Sequence, residues 1–266
     1  MTIMKITRIN KIQTMLEKEH SLSINHLCDV FQVSKNTIRR DIADLEKRGV
    51  VKKVYGGITL KEISTSSPEP FNLRESKHFA EKKKVARIAA SFVNDDDIIY
   101  IDSGTTTMHM LPYLVNKKNI TIITASINVI NSAIAYEGTK KFDLITTGGS
   151  LYYPSLAFIG PSVQKCLNNY NITKMFLAST GISIENGATN ASISENEIKK
   201  NLMKKMGQKF LLIDSSKLDI SSLITFCPLD AFDYILLDTQ PPQKYVQYCH
   251  EHHVNLLTDD VQPASE

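Results

Sequence analysis

Residues 33–48 read Val-Ser-Lys-Asn-Thr-Ile-Arg-Arg-Asp-Ile-Ala-Asp-Leu-Glu-Lys-Arg, and this stretch predicts the start and the buried face of a helix. Ser34 suits the N-cap position, because its hydroxyl can accept a hydrogen bond from a free backbone amide of the first turn. Val33 and Ile38 occupy the two positions of a hydrophobic staple around that cap. Apolar residues continue at helical spacing from Ile38 to Leu45, so one face of the helix should be buried.

The opposite face of this helix is polar and positively charged. A turn of about 100° per residue places Asn36, Arg40 and Lys47 on that face, together with the small residue Ala43. Arginine and asparagine can each form paired hydrogen bonds with base edges in the major groove of DNA. A solvated surface helix is the alternative interpretation. The candidate DNA-binding residues of this segment are Ser34, Lys35, Asn36, Thr37, Arg39, Arg40 and Lys47.

The sequence on either side of this helix completes a DNA-binding domain. Two amphipathic helices are predicted before it, with apolar faces formed by Ile6, Ile9, Ile12 and Leu16 and by Ile24, Leu27, Cys28 and Phe31. Gly49 can end the third helix, and residues 50–60 then predict a two-stranded hairpin with a glycine turn. Lys52 and Lys53 on this hairpin suit the phosphate backbone. We therefore predict a winged helix-turn-helix domain over residues 1–60 that binds double-stranded DNA.

The distribution of charge agrees with this prediction. Residues 1–60 contain 11 Lys/Arg and 6 Asp/Glu, a net charge of +5, whereas the remaining residues contain 20 and 22, a net charge of −2. Only the N-terminal part is therefore expected to meet a polyanion.

Cysteines and hydropathy set the expected chemistry and compartment. The four cysteines form no C-x-x-C pair, which favours reduced thiols over disulfides or zinc. His250, His252 and His253 are interpreted as a solvated helix end, and we expect neither a metal site nor a cofactor. No apolar run approaches the roughly 20 residues that span a bilayer, so we expect a cytoplasmic protein with no membrane partner.

A linker and a second domain are predicted beyond the hairpin. The segment from Lys61 to Pro70 lacks periodicity and is rich in Ser, Thr and Pro, and we expect a linker over residues 61–76. Short β-rich segments alternate with helical ones over residues 77–258, which is typical of a Rossmann-like parallel sheet flanked by helices. The predicted strands are Ile98–Ile101, Ile120–Thr124, Phe142–Thr146, Met175–Ala178, Phe210–Ile213 and Tyr234–Leu237.

Several of these strands end in small or hydroxyl-bearing residues. The segment Asp102-Ser103-Gly104-Thr105-Thr106-Thr107 lies between the first of them and a predicted helix, and its amides and hydroxyls suit a phosphate group. It is neither a P-loop nor a G-x-G-x-x-G fingerprint, and a polar turn with internally satisfied hydroxyls is the alternative. Gly148-Gly149, Thr180-Gly181 and Asp214 close other strands, which favours a common ligand crevice where Lys217 would supply positive charge.

Taken in order, these motifs resemble the DeoR family of bacterial sugar-metabolism repressors over nearly the whole chain. The matching segments are Val33–Asp41, Val54–Gly57, Glu81-Lys82, Asp102–Thr106, Gly148-Gly149 and Asp214–Lys217. The resemblance implies an effector domain similar to ribose-5-phosphate isomerase, in a homodimer or homotetramer that responds to a phosphorylated sugar or sugar acid. It also implies that Arg74, Lys82, Asp214 and Lys217 take part in the effector response, with Ser103 to Thr106 holding phosphate.

A narrower resemblance concerns one branch of the family. Residues 178–187, with Glu195 and Lys199 downstream, are similar to the branch that represses inositol catabolism. Thr124-Ala125-Ser126 departs from the Thr-Asn-Ser that is common in the family, and this removes an amide that could contact a sugar. The candidate effector-binding residues are Arg74, Lys82, Asp102, Ser103, Gly104, Thr105, Thr106, Gly148, Gly149, Thr180, Gly181, Glu195, Asp214 and Lys217.

The sequence thus predicts a DNA-binding repressor of a sugar or polyol catabolic operon, and not an enzyme. We expect a phosphorylated sugar to release the operator, although the sequence does not fix the sign of the response. One alternative is a phosphosugar isomerase with a fused DNA-binding module, in which Asp102, Asp214 or Glu195 is the base and Lys217 an electrostatic stabiliser. The other alternative is an architectural DNA binder with an inert dimerisation domain.

Overall fold

In the computed structural model the chain divides into two units, residues 1–64 and 65–266. The structure describes residues 5–19, 21–47, 51–54, 56–60, 69–136 and 142–259. Within those ranges, no helix is both long and apolar enough to cross a bilayer.

The N-terminal unit combines helices with a small antiparallel sheet. Its helices are α1 (Lys5–Glu19), α2 (Ile24–Phe31) and α3 (Lys35–Lys47), and its strands are β1 (Ser21–Ser23), β2 (Val51–Val54) and β3 (Gly57–Leu60). The three predicted helices and the hairpin are confirmed. Strand β1 was not predicted, because it is only three residues long and Leu22 is its one apolar residue; it pairs with β3 and gives the sheet order β1-β3-β2.

The cap and the buried face predicted for α3 are both present. The backbone amide of Thr37 donates to the Ser34 hydroxyl over 3.3 Å, which is the N-cap bond. Ile38, Ile42 and Leu45 are buried against the rest of this unit. A helix held by its cap and its apolar face presents its polar face to solvent in a fixed orientation.

The C-terminal unit contains the remaining helices and strands. Its helices are α4 (Phe71–Ser76), α5 (Phe79–Ser91), α6 (Ile127–Ile134), α7 (Pro161–Asn168), α8 (Ile193–Met203) and α9 (Gln243–Glu251). Its strands are β4 (Ile98–Ile101), β5 (Ile120–Thr124), β6 (Phe142–Thr146), β7 (Ser150–Tyr152), β8 (Ala157–Ile159), β9 (Lys174–Ala178), β10 (Gly181–Ser183), β11 (Gly187–Asn190), β12 (Gln208–Leu212), β13 (Ile224–Cys227), β14 (Tyr234–Leu237) and β15 (Asn255–Thr258).

A seven-stranded sheet forms the centre of this unit. Its strand order is β15-β14-β12-β9-β4-β5-β6, and every neighbouring pair is parallel. All six predicted strands belong to it, and β15 was missed. From β4 the chain adds strands towards β6, and from β9 it adds them towards β15, so the winding direction reverses between β4 and β9. In parallel α/β sheets ligands bind where this reversal occurs.

Both faces of the sheet are covered, as expected for parallel strands. One face packs against α5, α6 and the 3₁₀ helix Thr107–Tyr113, and the other packs against α7, α8 and α9. Phe176 and Phe210 stack on the first face with their ring centroids 4.8 Å apart. The sheet is therefore a rigid base for the loops at its carboxyl edge.

The structure corrects two predictions about local elements. Part of the predicted linker 61–76 is a helix, because Phe71 and Leu73 have apolar side chains that are buried in the C-terminal unit; residues 61–68 lie outside the described ranges. The helix predicted after Asp102 is a 3₁₀ helix that contains Pro112, which has no amide hydrogen for an α-helical bond.

Candidate functional site

The polar face of α3 is open to solvent. Lys35, Asn36, Arg39 and Arg40 are all exposed, and we call these four residues the α3 surface. Ser34 is also exposed but caps the helix, whereas Thr37 is half-buried. The three cations and the amide of this accessible helix face can reach base edges in the major groove.

A buried ion pair attaches α3 to the first helix. Arg8 Nε donates to Asp41 Oδ2 over 2.6 Å, and Arg8 Nη2 donates to Asp41 Oδ1 over 3.2 Å. Both side chains are buried, so this two-point contact fixes the rotation of α3. The sequence pattern singled out Asp41 as a motif residue without predicting this partner.

The hairpin presents Lys53 to solvent beside an acidic residue. Lys53 Nζ lies 2.5 Å from Glu46 Oε2, and both side chains are exposed. An exposed pair of this kind contributes only about 0–1 kcal/mol. A phosphate group of DNA could therefore replace Glu46 as the partner of Lys53. The side chains of Lys47 and Lys52 lie outside what the structure describes.

The C-terminal unit has an open cleft at the carboxyl ends of β4, β9 and β12, where the winding direction of the sheet reverses. Six predicted effector residues line the cleft, namely Arg74, Ser103, Gly104, Thr180, Glu195 and Lys217. Six other residues that the sequence did not put forward as effector-binding also line it, namely Glu69, Ala178, Ser179, Asn190, Ala191 and Lys199.

Glycine at position 104 allows two strand ends to meet beneath this cleft. A Cβ atom on Gly104 would lie 2.3 Å from the Ala178 Cβ atom and 3.2 Å from Thr107 Oγ1. The first distance is far inside van der Waals contact, so any side chain at this position would push the end of β4 away from the end of β9.

A buried ion pair between Lys199 and Asp102 forms part of the cleft wall. Lys199 Nζ is 3.1 Å from Asp102 Oδ2, and both side chains are buried. The same ammonium donates to the Ala178 carbonyl over 2.6 Å, and the Ala178 amide donates to Asp102 Oδ2 over 3.0 Å. The pair therefore joins β4, β9 and α8, and its net charge is zero.

The unpaired charges of the cleft are of both signs. Arg74 and Lys217 are the cations that line it outside the buried pair, and Glu69 and Glu195 are the carboxylates. Burial lowers the pKa of the Arg74 guanidinium, and the charges of Glu195 and Glu69 oppose that shift. A poorly solvated guanidinium gains from a bound anion. Glu195 Oε1 accepts from the Ser103 hydroxyl over 3.3 Å and has further lone pairs for hydroxyl groups of a ligand.

Lys82 does not line the cleft, although the resemblance implied a role in the effector response. It is buried, and its ammonium donates to the carbonyls of Lys77, over 2.6 Å, and of Arg74. It thus holds the end of α4, the helix that carries Arg74. Burial lowers the pKa of Lys82 to about 8, with the charge of Asp214 opposing the shift and the charge of Lys217 adding to it.

Asp214 also lies outside the cleft lining and shapes the turn that carries Lys217. Its Oδ1 accepts from the Ser216 amide over 3.2 Å and from the Ser216 hydroxyl, and so caps the 3₁₀ helix Ser215–Lys217. Its Oδ2 is buried without a hydrogen-bond partner among the described atoms. Asp214 thus fixes the conformation of the turn that carries Lys217.

The other predicted effector residues do not line the cleft. Thr105 and Thr106 are buried in the turn after β4 and do not line the cleft. Gly148 and Gly149 have φ values of 61° and 117°, a region that favours glycine, and they connect the edge strand β6 to β7. Gly181 begins β10.

The geometry bears on the isomerase alternative. Of the three carboxylates named as candidate bases, only Glu195 lines the cleft. The Asp102 carboxylate is bonded to the Lys199 ammonium and to the Ala178 backbone amide. Among the described residues, no group of three or more His, Cys, Asp or Glu side chains is placed to hold a metal ion. The arrangement suits the binding of an anion that carries hydroxyl groups.

Comparisons with known proteins agree with this division of the chain. The DeoR-like helix-turn-helix domain matches residues 8–64, and the DeoR C-terminal sensor domain matches residues 77–239. The chain is 39% identical over 253 residues to the HTH-type transcriptional regulator IolR of Bacillus subtilis (strain 168), covering 95% of this chain and 99% of that protein. It is 29% identical over 240 residues to a lactose phosphotransferase system repressor of Staphylococcus epidermidis, covering 90% and 94%.

A solved structure is similar to part of the chain. A D-ribose-5-phosphate isomerase in complex with phospho-erythronic acid covers 52% of each chain, with 17% identity and a TM-score of 0.38. The family matches and the identity to IolR extend over both units. The chain therefore belongs to the DeoR family of transcriptional regulators, with a DeoR-like helix-turn-helix domain followed by a DeoR sensor domain.

Proposed function

We propose that this regulator represses a sugar or polyol catabolic operon and leaves its operator when a phosphorylated sugar or sugar acid binds the cleft. The observation that carries the proposal is that two cations, Arg74 and Lys217, line the same cleft as the carboxylate Glu195. The cations suit a phosphate group, and the carboxylate suits the hydroxyl groups of a sugar.

The α3 surface is the proposed base-reading element, and Lys52 and Lys53 are the proposed phosphate contacts. Operator binding requires the cytoplasm, where a bacterial chromosome lies. We expect a homodimer or homotetramer, since a symmetric oligomer can hold two recognition helices at two half-sites of an operator. Inositol catabolism is the specific pathway that we propose, because residues 178–187 resemble that branch and the match to the relative IolR covers 95% of this chain.

The coupling between the two sites sets the size of the expected response. A typical allosteric coupling of about 1–3 kcal/mol would reduce operator affinity about 5- to 150-fold. The test is a fluorescence anisotropy titration of full-length protein on a duplex from its own promoter. Glucose 6-phosphate, fructose 6-phosphate, fructose 1-phosphate and ribose 5-phosphate are added in turn, with the free sugars as controls. The proposal fails if every phosphorylated sugar leaves the affinity unchanged.

A matched pair of arginine variants locates the response. Arg74→Gln removes a cation of the cleft and should raise the concentration of sugar phosphate that gives half of the response. Arg87→Gln is the control, since Arg87 is exposed and pairs with Asp259 away from the cleft. An equal shift in both variants would mean that the effector does not bind at Arg74.

A further inference from the structure

Asn190 is the most buried polar residue of the cleft lining. It ends β11, is 4% exposed and lines the cleft, and neither the sequence motifs nor the predicted effector residues include it. Lys199 Nζ donates to Asn190 Oδ1 over 3.2 Å, and the Thr180 hydroxyl donates to the same oxygen over 3.4 Å. Two donors therefore converge on one end of this amide.

These two donors fix which way the amide faces. If the amide were turned over, its NH₂ group would face the Lys199 ammonium, and two donors would oppose each other. The orientation of Lys199 is itself fixed by Asp102 and by the Ala178 carbonyl. The Asn190 oxygen must therefore point towards Lys199, and the amide nitrogen must point away from it. That nitrogen has no hydrogen-bond partner among the described residues.

The charge around Asn190 indicates which part of a ligand lies there. Asp102 and Lys199 neutralise each other, so this wall offers no net charge to a phosphate group. The cations of the cleft that lie outside this pair are Arg74 and Lys217. A phosphate group is expected at those cations, and an uncharged oxygen of the same ligand is expected at Asn190.

We infer that Asn190 is a specificity-determining residue of the effector site, which donates its amide hydrogen to a hydroxyl or carbonyl oxygen on the sugar part of the effector. Lys199 acts as a positioning residue that keeps the amide in this orientation. The inference rests on the proposed function of the cleft. It adds that the site reads the sugar part through a neutral donor, while the cations hold the phosphate.

The experiment measures selectivity by isothermal titration calorimetry on the full-length protein. Dissociation constants are determined for inorganic phosphate and for the four sugar phosphates named above. The readout is the ratio of the dissociation constant of inorganic phosphate to that of each sugar phosphate. Asn190→Ala should lower the preference for the best sugar phosphate over inorganic phosphate about 5- to 20-fold, because one hydrogen bond to the sugar is lost. The affinity for inorganic phosphate itself should change less than about twofold.

Two further variants guard against an effect on folding. Asn190→Thr keeps an oxygen near Lys199 but removes the amide, so it should show the same loss of preference and replaces Asn190→Ala if that variant does not fold. Asn201→Ala removes an asparagine of α8 whose amide contacts Asn168 away from the cleft, and it should leave the ratio unchanged.

The outcomes separate this inference from the proposed function. If a sugar phosphate binds the wild-type protein more tightly than inorganic phosphate, but the Asn190 variants keep the same ratio, the inference is wrong and the proposed function stands. If the Asn190 variants weaken inorganic phosphate as much as the sugar phosphate, the residue is only structural and the inference is also wrong. If the wild-type protein prefers no sugar phosphate over inorganic phosphate, both fail.

Discussion

Replacing Lys199 by methionine tests whether the buried ion pair between Lys199 and Asp102 stabilises the sensor domain. In Lys199→Met the carboxylate of Asp102 stays buried with the Ala178 amide as its remaining donor, and the Ala178 carbonyl loses its bond to the ammonium. Removing one partner of a buried ion pair costs about 3–5 kcal/mol. This is a large part of the roughly 5–15 kcal/mol that stabilises a typical protein.

A second substitution separates charge from packing. Asp102→Asn in the Lys199→Met background removes the uncompensated charge and keeps an oxygen that can accept from the Ala178 amide. The double variant should therefore be more stable than Lys199→Met by about 1–3 kcal/mol. The remaining loss reflects the Ala178 carbonyl and Asn190 Oδ1, which both lose their hydrogen bond from the ammonium.

Urea denaturation followed by far-ultraviolet circular dichroism gives the free energies of unfolding for the wild type, Lys199→Met, Asp102→Asn and the double variant. Asn201→Ala, on the exposed side of α8, serves as the control and should change stability by less than about 0.5 kcal/mol. A loss below about 1 kcal/mol in Lys199→Met, or no recovery in the double variant, would refute the account of this pair.

Three further predictions concern the DNA-binding surface, the sheet edge and Lys82. In anisotropy titrations, Arg40→Ala should weaken binding to the operator by about 1–3 kcal/mol more than binding to random duplex. Lys52→Ala should weaken binding to both duplexes alike, and it should reduce by about one the slope of log affinity against log salt concentration. Gly104→Ala should lower the melting temperature in calorimetry, because its methyl group would overlap Ala178; an unchanged melting temperature would contradict this. Lys82 has a folded pKa of about 8, below that of an unfolded lysine, so the folded state releases its proton first. Its contribution to stability should therefore rise as the pH increases from 8 to about 10.5. In urea titrations the free energy of unfolding of the wild type relative to Lys82→Met should rise over the same range. A fall in this difference would contradict the prediction.

Patterns that repeat over one helix or strand were readable from the sequence. The cap at Ser34, the buried face of α3 and the six strands of the parallel sheet follow from local spacing, since the side chains that decide them are neighbours in the chain. Lys82 lies at helical spacing from Val85, Ala86, Ala89 and Ala90, all of which are buried, and this spacing could have predicted its burial.

Contacts between distant segments were not readable in the same way. Lys199 reaches Asp102 across 97 positions of the chain, and nothing in the local sequence of α8 distinguishes it from the exposed Lys200. Asn190 is the last residue of a short antiparallel strand that sequence periodicity missed, and its proposed role depends on Lys199. Gly148 and Gly149 were predicted to lie at the ligand crevice, and their positive φ values give a local reason for glycine at both positions.

The central claim is that the N-terminal unit reads a DNA sequence and the cleft of the sensor domain controls how tightly it does so. Full-length protein is titrated onto a duplex from its own promoter and onto a shuffled duplex of equal length and composition, each with and without the best-binding sugar phosphate. We predict that the promoter duplex binds at least about 10³-fold more tightly, and that the sugar phosphate reduces this preference about 5- to 150-fold. Equal affinity for the two duplexes at physiological salt would contradict the account.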